Sequence, residues 1–181
     1  MSYVELHACS AFSFLRGGSF PEQLAEVAAE LEMPAMALLD RNGVYGAQRF
    51  SVAGREHGVR PIIGAELSME GGGILPVLVE NRTGYKNLCE LLTQAHLRSE
   101  KGKCAVQWSE LPQFAKGLVV LVGEAVCFPQ DRDADSVSYN FFASVSRRFT
   151  VSIMSSSVVR GLIVHKRRQA RPRSSVEVSS A

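Results

Sequence analysis

Residues that could carry chemistry are concentrated near the N-terminus, directly after a short apolar segment. Tyr3–Leu6 predicts a strand, and His7, Cys9, Ser10 and Ser13 follow it. Positions i and i+2 of an extended segment point to the same side, so His7 and Cys9 could both face one metal ion or one phosphate group. The alternative is a buried strand end whose His is hydrogen-bonded and whose Cys is a small core residue.

Two further groups of polar residues follow predicted strands. Asp40, Arg41 and Asn42 come after Ala35–Leu39, an apolar run typical of a strand that is buried on both faces. Glu66 lies near the end of the next apolar segment, where a carboxylate is costly unless it is paired or bound to a cation. Crossover handedness would place every strand's C-terminal end on one rim, so we expect these groups to meet there. Three such strand ends favour a functional site over the purely structural interpretation.

The elements that position these residues follow an α/β order. Helical spacings of three and four separate the apolar runs, and the predicted order is strand, helix, strand, helix, strand, strand, helix, short helix, strand. We therefore expect mostly parallel strands. The glycines of Gly71–Gly73 predict a hairpin between the third and fourth strands. The predicted strands are Tyr3–Leu6, Ala35–Leu39, Arg60–Leu67, Ile74–Val79 and Gly117–Gly123.

The composition is that of an ordinary globular protein. The 181 residues are 46% hydrophobic and 21% charged, and no apolar run approaches the roughly 18 residues of a membrane span. The N-terminus lacks the basic and apolar regions of a secretion signal. The four cysteines are scattered without a C-x-x-C pair, which suits a reducing compartment better than a disulfide framework or a structural zinc site. We expect a cytoplasmic protein with no membrane partner.

Charge and composition change near residue 128. Residues 1–128 carry 11 Lys and Arg against 14 Asp and Glu, a net of −3, whereas residues 129–181 carry 9 against 4, a net of +5. The second part is rich in Ser, Val and Arg. Its basic run Lys166–Arg173 could bind phosphates, but it lacks interleaved aromatic residues, and a disordered tail is the alternative. We predict a folded domain over 1–127 and a disordered Ser/Arg-rich tail over 128–181.

Several segments resemble a known family. Leu6–Leu15, Leu39–Gly46 and Pro61–Glu66 resemble the first three motifs of the polymerase and histidinol phosphatase (PHP) domain. The likeness is strongest to the N-terminal PHP domain of bacterial DNA polymerase III alpha subunits, and within these to the error-prone, translesion branch. Tyr85–Leu92 and Gly117–Leu121 also match that branch. The resemblance covers about residues 2–125. It implies an incomplete PHP-type distorted (β/α) TIM-like barrel, since a whole one needs roughly another hundred residues.

The resemblance also implies site residues. The family's first motif is His-x-His-Ser, and its metal-binding pair corresponds here to His7 and Cys9. The second motif is usually Thr-Asp-His, where this chain has Asp40 and then Arg41, and the Glu of the third motif is kept as Glu66. His7, Cys9, Asp40 and Glu66 are therefore the family-equivalent metal positions. Arg41 is a fixed cation that cannot ligate a metal, and it is a candidate phosphate-binding residue.

The resemblance implies metals as well. Active members of the family hydrolyse phosphoesters with two or three bound metals, and zinc or manganese would be the metal here. Cys9 and Arg41 argue that this chemistry has been lost, and we expect no catalytic residue in this chain. The later strands that supply further ligands are not recognisable, and His165 is the only His after Cys127.

The expected function is that of the N-terminal PHP portion of an error-prone DNA polymerase. The parent protein would use Mg²⁺ and would act in DNA replication and repair synthesis with DNA and other replication and repair proteins. The polymerase palm and fingers are not recognisable, so whether this chain is itself an enzyme stays open. The alternative is a stand-alone PHP-class metal-dependent phosphoesterase, which would need His or Asp in place of Arg41. A weaker third hypothesis is an inert expressed fragment. The change of composition near Phe128 is what a reading-frame shift or a premature end of a longer gene would give.

Overall fold

The computed structural model describes residues 3–122 and 150–153, and these form one sheet with helices packed on it. The predicted order of elements is confirmed, and a sixth strand follows it. The strands are β1 (Glu5–Ala8), β2 (Ala35–Arg41), β3 (Arg60–Ser68), β4 (Ile74–Val79), β5 (Leu118–Val122) and β6 (Thr150–Ile153). The helices are α1 (Pro21–Glu30), α2 (Ala47–Glu56), α3 (Arg82–Arg98) and α4 (Leu111–Phe114).

The sheet has the strand order β1-β2-β3-β4-β5-β6. Strands β1, β2 and β3 are parallel neighbours, and β5 is parallel to β6, while β4 is antiparallel to both β3 and β5. The predicted hairpin between the third and fourth strands is therefore confirmed. The expectation that every strand ends on one rim is wrong for β4, because the hairpin reverses the chain. The strands that matter for the site, β1 to β3, do share a rim.

Strand β2 is the buried centre of this arrangement, as its continuous apolar run predicts. Met36 and Leu38 pack with residues of α1 and α2, whereas Ala37 and Leu39 pack with Leu78 of β4 and with β5. Successive side chains of a strand point to opposite faces, so β2 is covered on both sides. A third cluster joins β3, β4 and β5 to α3 and α4. This packing fixes the carboxyl end of β2 between β1 and β3.

The predicted domain boundary at residue 127 stays a prediction. Thr150–Ile153, which lie in the predicted tail, form β6 beside β5. The basic run Lys166–Arg173, together with His165 and Cys127, lies outside the described residues. Among residues 3–122 and 150–153, no helix is long and apolar enough to cross a membrane.

Candidate functional site

Glu66 is the centre of a charged cluster at the carboxyl ends of β1, β2 and β3. Its side chain is 7% exposed, and its Oε1 lies 2.7 Å from His7 Nε2. Its Oε2 lies 3.5 Å from Arg16 Nη2 and 3.6 Å from Arg41 Nη1. Strand β1, the loop after it and strand β2 thus each supply one partner to a carboxylate on β3. Both oxygens of the carboxylate face a donor or a cation.

These partners determine the charge state of Glu66. Burial raises the pKa of the Glu66 carboxyl, but the hydrogen bond with His7 and the positive charges of Arg16 and Arg41 outweigh burial, so the pKa is lowered. The carboxylate is therefore ionised at neutral pH. An ionised carboxylate this deeply buried is stable only because cations and hydrogen bonds compensate the lost hydration.

Arg41 is held toward Glu66 by backbone register and by its own hydrogen bonds. Arg41 of β2 and Glu66 of β3 are directly paired in the parallel ladder. Arg41 Nε donates to Ser68 Oγ at 2.9 Å, and Asn42 Nδ2 donates to the same oxygen at 2.9 Å. Asn42 Oδ1 accepts from the Ser68 backbone N–H at 2.8 Å. Arg41 Nη1 is buried without a hydrogen-bond partner in the described part of the chain, which leaves the ion pair with Glu66 as its compensation.

Asp40 is buried beside this cluster and has a different environment. Its Oδ1 accepts hydrogen bonds from Ser10 N at 3.0 Å, from Ser10 Oγ at 2.8 Å and from Ser13 Oγ at 2.8 Å. Its Oδ2 accepts from Gly46 N at 2.9 Å. Ser13 Oγ in turn accepts from the backbone N–H of Arg41 at 3.0 Å. Asp40 therefore fixes the loop after β1 against the end of β2 through neutral donors alone.

Cys9 is a partly buried thiol next to the two carboxylates. Burial raises the pKa of Cys9, and the negative charges of Glu66 and Asp40 raise it further, while Arg16 opposes them with a smaller effect. The protonated thiol is therefore favoured.

The residues present do not fit a divalent metal. Both oxygens of Asp40 are occupied by N–H and O–H donors, and Glu66 already faces two guanidinium groups. A cation in contact with Glu66 Oε2 would be repelled by Arg16 and Arg41. In residues 3–122 and 150–153, no group of three or more His, Cys, Asp and Glu side chains is arranged to hold a metal ion.

The structure brings the sequence-predicted residues together to different degrees. His7, Arg41 and Glu66 are in direct contact, and Asp40 is connected to Arg41 through Ser13. Their assignment as metal or phosphate ligands stays a prediction. Sequence reasoning did not single out Arg16, although a basic residue in the loop after β1 was the available signal.

The family assignment rests on the length of the match. The PHP domain family matches residues 5–135, which is more than two thirds of the chain. This chain belongs to the PHP domain family. The resemblance carried by the three strand-end motifs is thereby confirmed, and those motifs supply His7, Arg41 and Glu66 of the charged cluster, whereas Arg16 directly follows the first motif.

Curated relatives at high identity are error-prone DNA polymerases. The chain is 44% identical over 115 residues to the enzyme of Corynebacterium efficiens, which covers 63% of this chain and 10% of that protein. It is 44% identical over 128 residues to that of Mycobacterium tuberculosis, covering 65% and 12%. With the enzyme of Symbiobacterium thermophilum the identity is 50% over 100 residues, covering 55% and 9%. The chain thus spans about a tenth of the length of the curated relatives it matches.

Solved structures share the fold at low sequence identity. A protein assigned as a metal-dependent phosphoesterase from Bifidobacterium adolescentis is 13% identical, with a TM-score of 0.56 over 90% of this chain and 91% of its own. An amidohydrolase from Chromobacterium violaceum, solved with bound sulfate and no metal, is also 13% identical, with a TM-score of 0.59 over 83% and 75%. These likenesses confirm the predicted fold class, a mixed α/β sheet of the PHP type.

Proposed function

We propose that this chain is the PHP-domain portion of an error-prone DNA polymerase of the polymerase III alpha type, and that its site is non-hydrolytic. The identity of 44% over 128 residues to an error-prone polymerase supports the first part. The contacts of Glu66 support the second part, because two guanidinium groups lie within 3.6 Å of its Oε2 and would repel a metal bound there. In this role the PHP portion is a structural module of a larger polymerase.

In this proposal, the partners and the metal are those of the parent polymerase. DNA is its substrate, Mg²⁺ is the metal of its polymerase site, and other replication and repair proteins act with it. A cytoplasmic location agrees with Cys9, Cys89 and Cys104, which form no disulfide among the described residues. In this proposal the chain retains three residues of the family's motifs, His7, Asp40 and Glu66, and they stabilise the rim of the sheet. Arg41 serves as a counter-ion of Glu66.

The competing function is a stand-alone PHP-class phosphoesterase. It would bind zinc or manganese through His7, Cys9, Asp40 and Glu66, and Arg41 would hold the substrate phosphate. The buried hydrogen bonds of Asp40 weigh against this ligand set.

A hydrolysis assay separates the two functions. The purified chain is incubated with p-nitrophenyl phosphate or with a single-stranded DNA that has a free 3′ end, in the presence of Zn²⁺ or Mn²⁺. Bound metal is measured separately by elemental analysis. We expect no turnover above that of a Glu66→Ala control. Metal-dependent turnover that disappears in Glu66→Ala would overturn the non-hydrolytic site.

A chimera tests the polymerase part. Residues 5–122 replace the corresponding segment of the Mycobacterium tuberculosis error-prone polymerase, and primer extension is measured. We expect extension within a few fold of the parental enzyme. A chimera that is folded by circular dichroism but inactive, beside an active parental control, would count against the proposal.

A further inference from the structure

We propose that Arg16 and Arg41 act together as a built-in replacement for a metal cation at Glu66, so that the rim of the sheet is held without metal and divalent cations are excluded. This inference deepens the proposed function and rests on its non-hydrolytic site. The inference applies to the folded chain itself, and it is tested by measuring how the thermal stability of the chain depends on metal ions.

The distances place both guanidinium groups at one oxygen. Arg16 Nη2 and Arg41 Nη1 lie 3.5 Å and 3.6 Å from Glu66 Oε2, and His7 occupies Oε1 at 2.7 Å. A zinc or manganese ion bound to Oε2 would sit about 2.0–2.2 Å from it. Such an ion would lie within about 6 Å of both guanidinium groups, and the positive charges would repel one another.

Burial shows which groups face the solvent. The Glu66 side chain is 7% exposed, whereas Arg41 is 28% and Arg16 is 45% exposed. The carboxylate therefore lies inside, and the two cations cover it from the outer side. Removing both cations would leave an ionised carboxylate buried with His7 alone, which is costly unless another cation enters.

Arg16 and Arg41 come from different parts of the chain, so their ion pairs with Glu66 connect the loop after β1 and strand β2 to strand β3. Arg41 is fixed by β2 and by its hydrogen bond to Ser68. Arg16 lies in the loop after β1, where its backbone N–H donates to the Ser13 carbonyl at 2.9 Å, and Ser13 is itself bonded to Asp40. The guanidinium group of Arg41 and the backbone of Arg16 are thus held by contacts that are independent of the ion pairs. A metal-binding site would need this region to be open instead.

The experiment measures thermal unfolding in EDTA, in Zn²⁺ and in Mn²⁺. The variants are Arg16→Met, Arg41→Met and the double variant, and the matched control is Arg49→Met, an exposed arginine paired with Glu22 and not with Glu66. Methionine keeps an unbranched apolar stem and removes the guanidinium group with its charge and its donors.

The expected pattern is specific to the proposal. We expect that neither the Tm of the wild-type chain nor that of Arg49→Met changes between EDTA, Zn²⁺ and Mn²⁺. The Tm of the double variant in EDTA is lower by at least about 5 °C, it rises on addition of Zn²⁺ or Mn²⁺, and a further Glu66→Gln change removes that rise. Elemental analysis gives bound metal in the double variant and none in the wild type.

Three outcomes would overturn the inference: a wild-type chain stabilised by Zn²⁺ or Mn²⁺, a double variant that melts like the wild type, or a destabilised double variant with no metal response. If the double variant does not fold, the two single variants decide, since each is then expected to gain part of the metal response, while Arg41→Lys keeps the charge and gains none. A wild-type chain that binds metal without hydrolysing any substrate would overturn this inference and leave the proposed function intact.

Discussion

The two buried carboxylates of this molecule are stabilised in different ways. Asp40 is 1% exposed and is surrounded by neutral N–H and O–H donors, whereas Glu66 is surrounded by His7 and two guanidinium groups. Hydrogen bonds to an ionised group are stronger than neutral ones, so several neutral donors can compensate a buried charge. The environment of Asp40 thus depends on the number of hydrogen-bond donors, and that of Glu66 depends on opposite charge.

Replacing Asp40 tests the first arrangement. In Asp40→Asn, an NH₂ group replaces an oxygen that accepts hydrogen bonds, so at least one buried donor loses its partner and faces another donor. We expect the free energy of unfolding to fall by about 2–3 kcal/mol at pH 7, measured by urea titration with circular dichroism. The exposed Glu22→Gln control is expected to change it by less than about 0.5 kcal/mol. An Asp40→Asn variant as stable as that control would contradict the role given to these donors.

The dependence of stability on pH tests the second arrangement. Because the folded-state pKa of Glu66 is lowered, its ionisation stabilises the fold above the ordinary Glu pKa of about 4.3, and this contribution is lost as pH falls through the lower folded pKa. We expect the unfolding midpoint of the wild type to fall more steeply below about pH 4.3 than that of Glu66→Gln. The measurement is urea unfolding of both proteins from pH 7 to pH 3. Parallel curves would show that Glu66 has the same pKa in the folded and unfolded chain.

At the scale of residues, the sequence predicts which residue types form the site but not which of them make ion pairs. Glu66 in an apolar segment indicates that some cation compensates it. That Arg41 is this cation follows from the parallel register of β2 and β3, which brings together residues 25 positions apart. For Arg16 the sequence offered only a basic residue in the loop after β1, because its position depends on a loop whose path is fixed by Ser10, Ser13 and Asp40.

At the scale of elements, apolar periodicity predicts strands and helices well and fails where a strand is irregular. Leu6 packs with the Leu39 cluster and Ala8 packs with the Met36 cluster, although residues two apart in a regular strand share a face. The register of β1 shifts between Glu5 and Ala8. Such irregularities redirect side chains, so regular alternation alone does not fix the orientation of His7 and Cys9, although both residues lie near Glu66.

The contact between α3 and the start of β5 depends on glycine. A Cβ on Gly84 would lie 1.8 Å from the carbonyl oxygen of Gly117, whereas one on Gly18 would meet nothing within 4 Å. Gly84→Ala would therefore force the helix away from the turn before β5, and we expect a loss of about 2–4 kcal/mol in the free energy of unfolding. Gly18→Ala serves as the matched control, with a change below about 1 kcal/mol. Urea unfolding measures both, and equal effects would argue against close packing at Gly84.

At the scale of the whole molecule, the described sheet ends in open edges. Strands β1 and β6 each have one neighbour among the described residues. An unpaired strand edge can pair with another chain, and exposed apolar side chains near it add to that tendency. The loop after β1 presents Phe14 and Leu15, which are 84% and 89% exposed. Open edges and apolar exposure together predict self-association of the isolated chain.

Self-association can be measured and assigned to this loop. Light scattering after size exclusion is expected to give a mass that rises with concentration for the wild type. The Phe14→Ser/Leu15→Asn variant should shift this rise to higher concentration, because it removes the apolar side chains and because Asn tolerates the φ of 61° at position 15. Leu97→Ser, a change at an 83% exposed leucine on α3, is the matched control and should behave like the wild type. A wild-type chain that remains a monomer at every concentration would show that its edges are protected. Equal effects of the loop variant and Leu97→Ser would instead assign the association to general surface hydrophobicity.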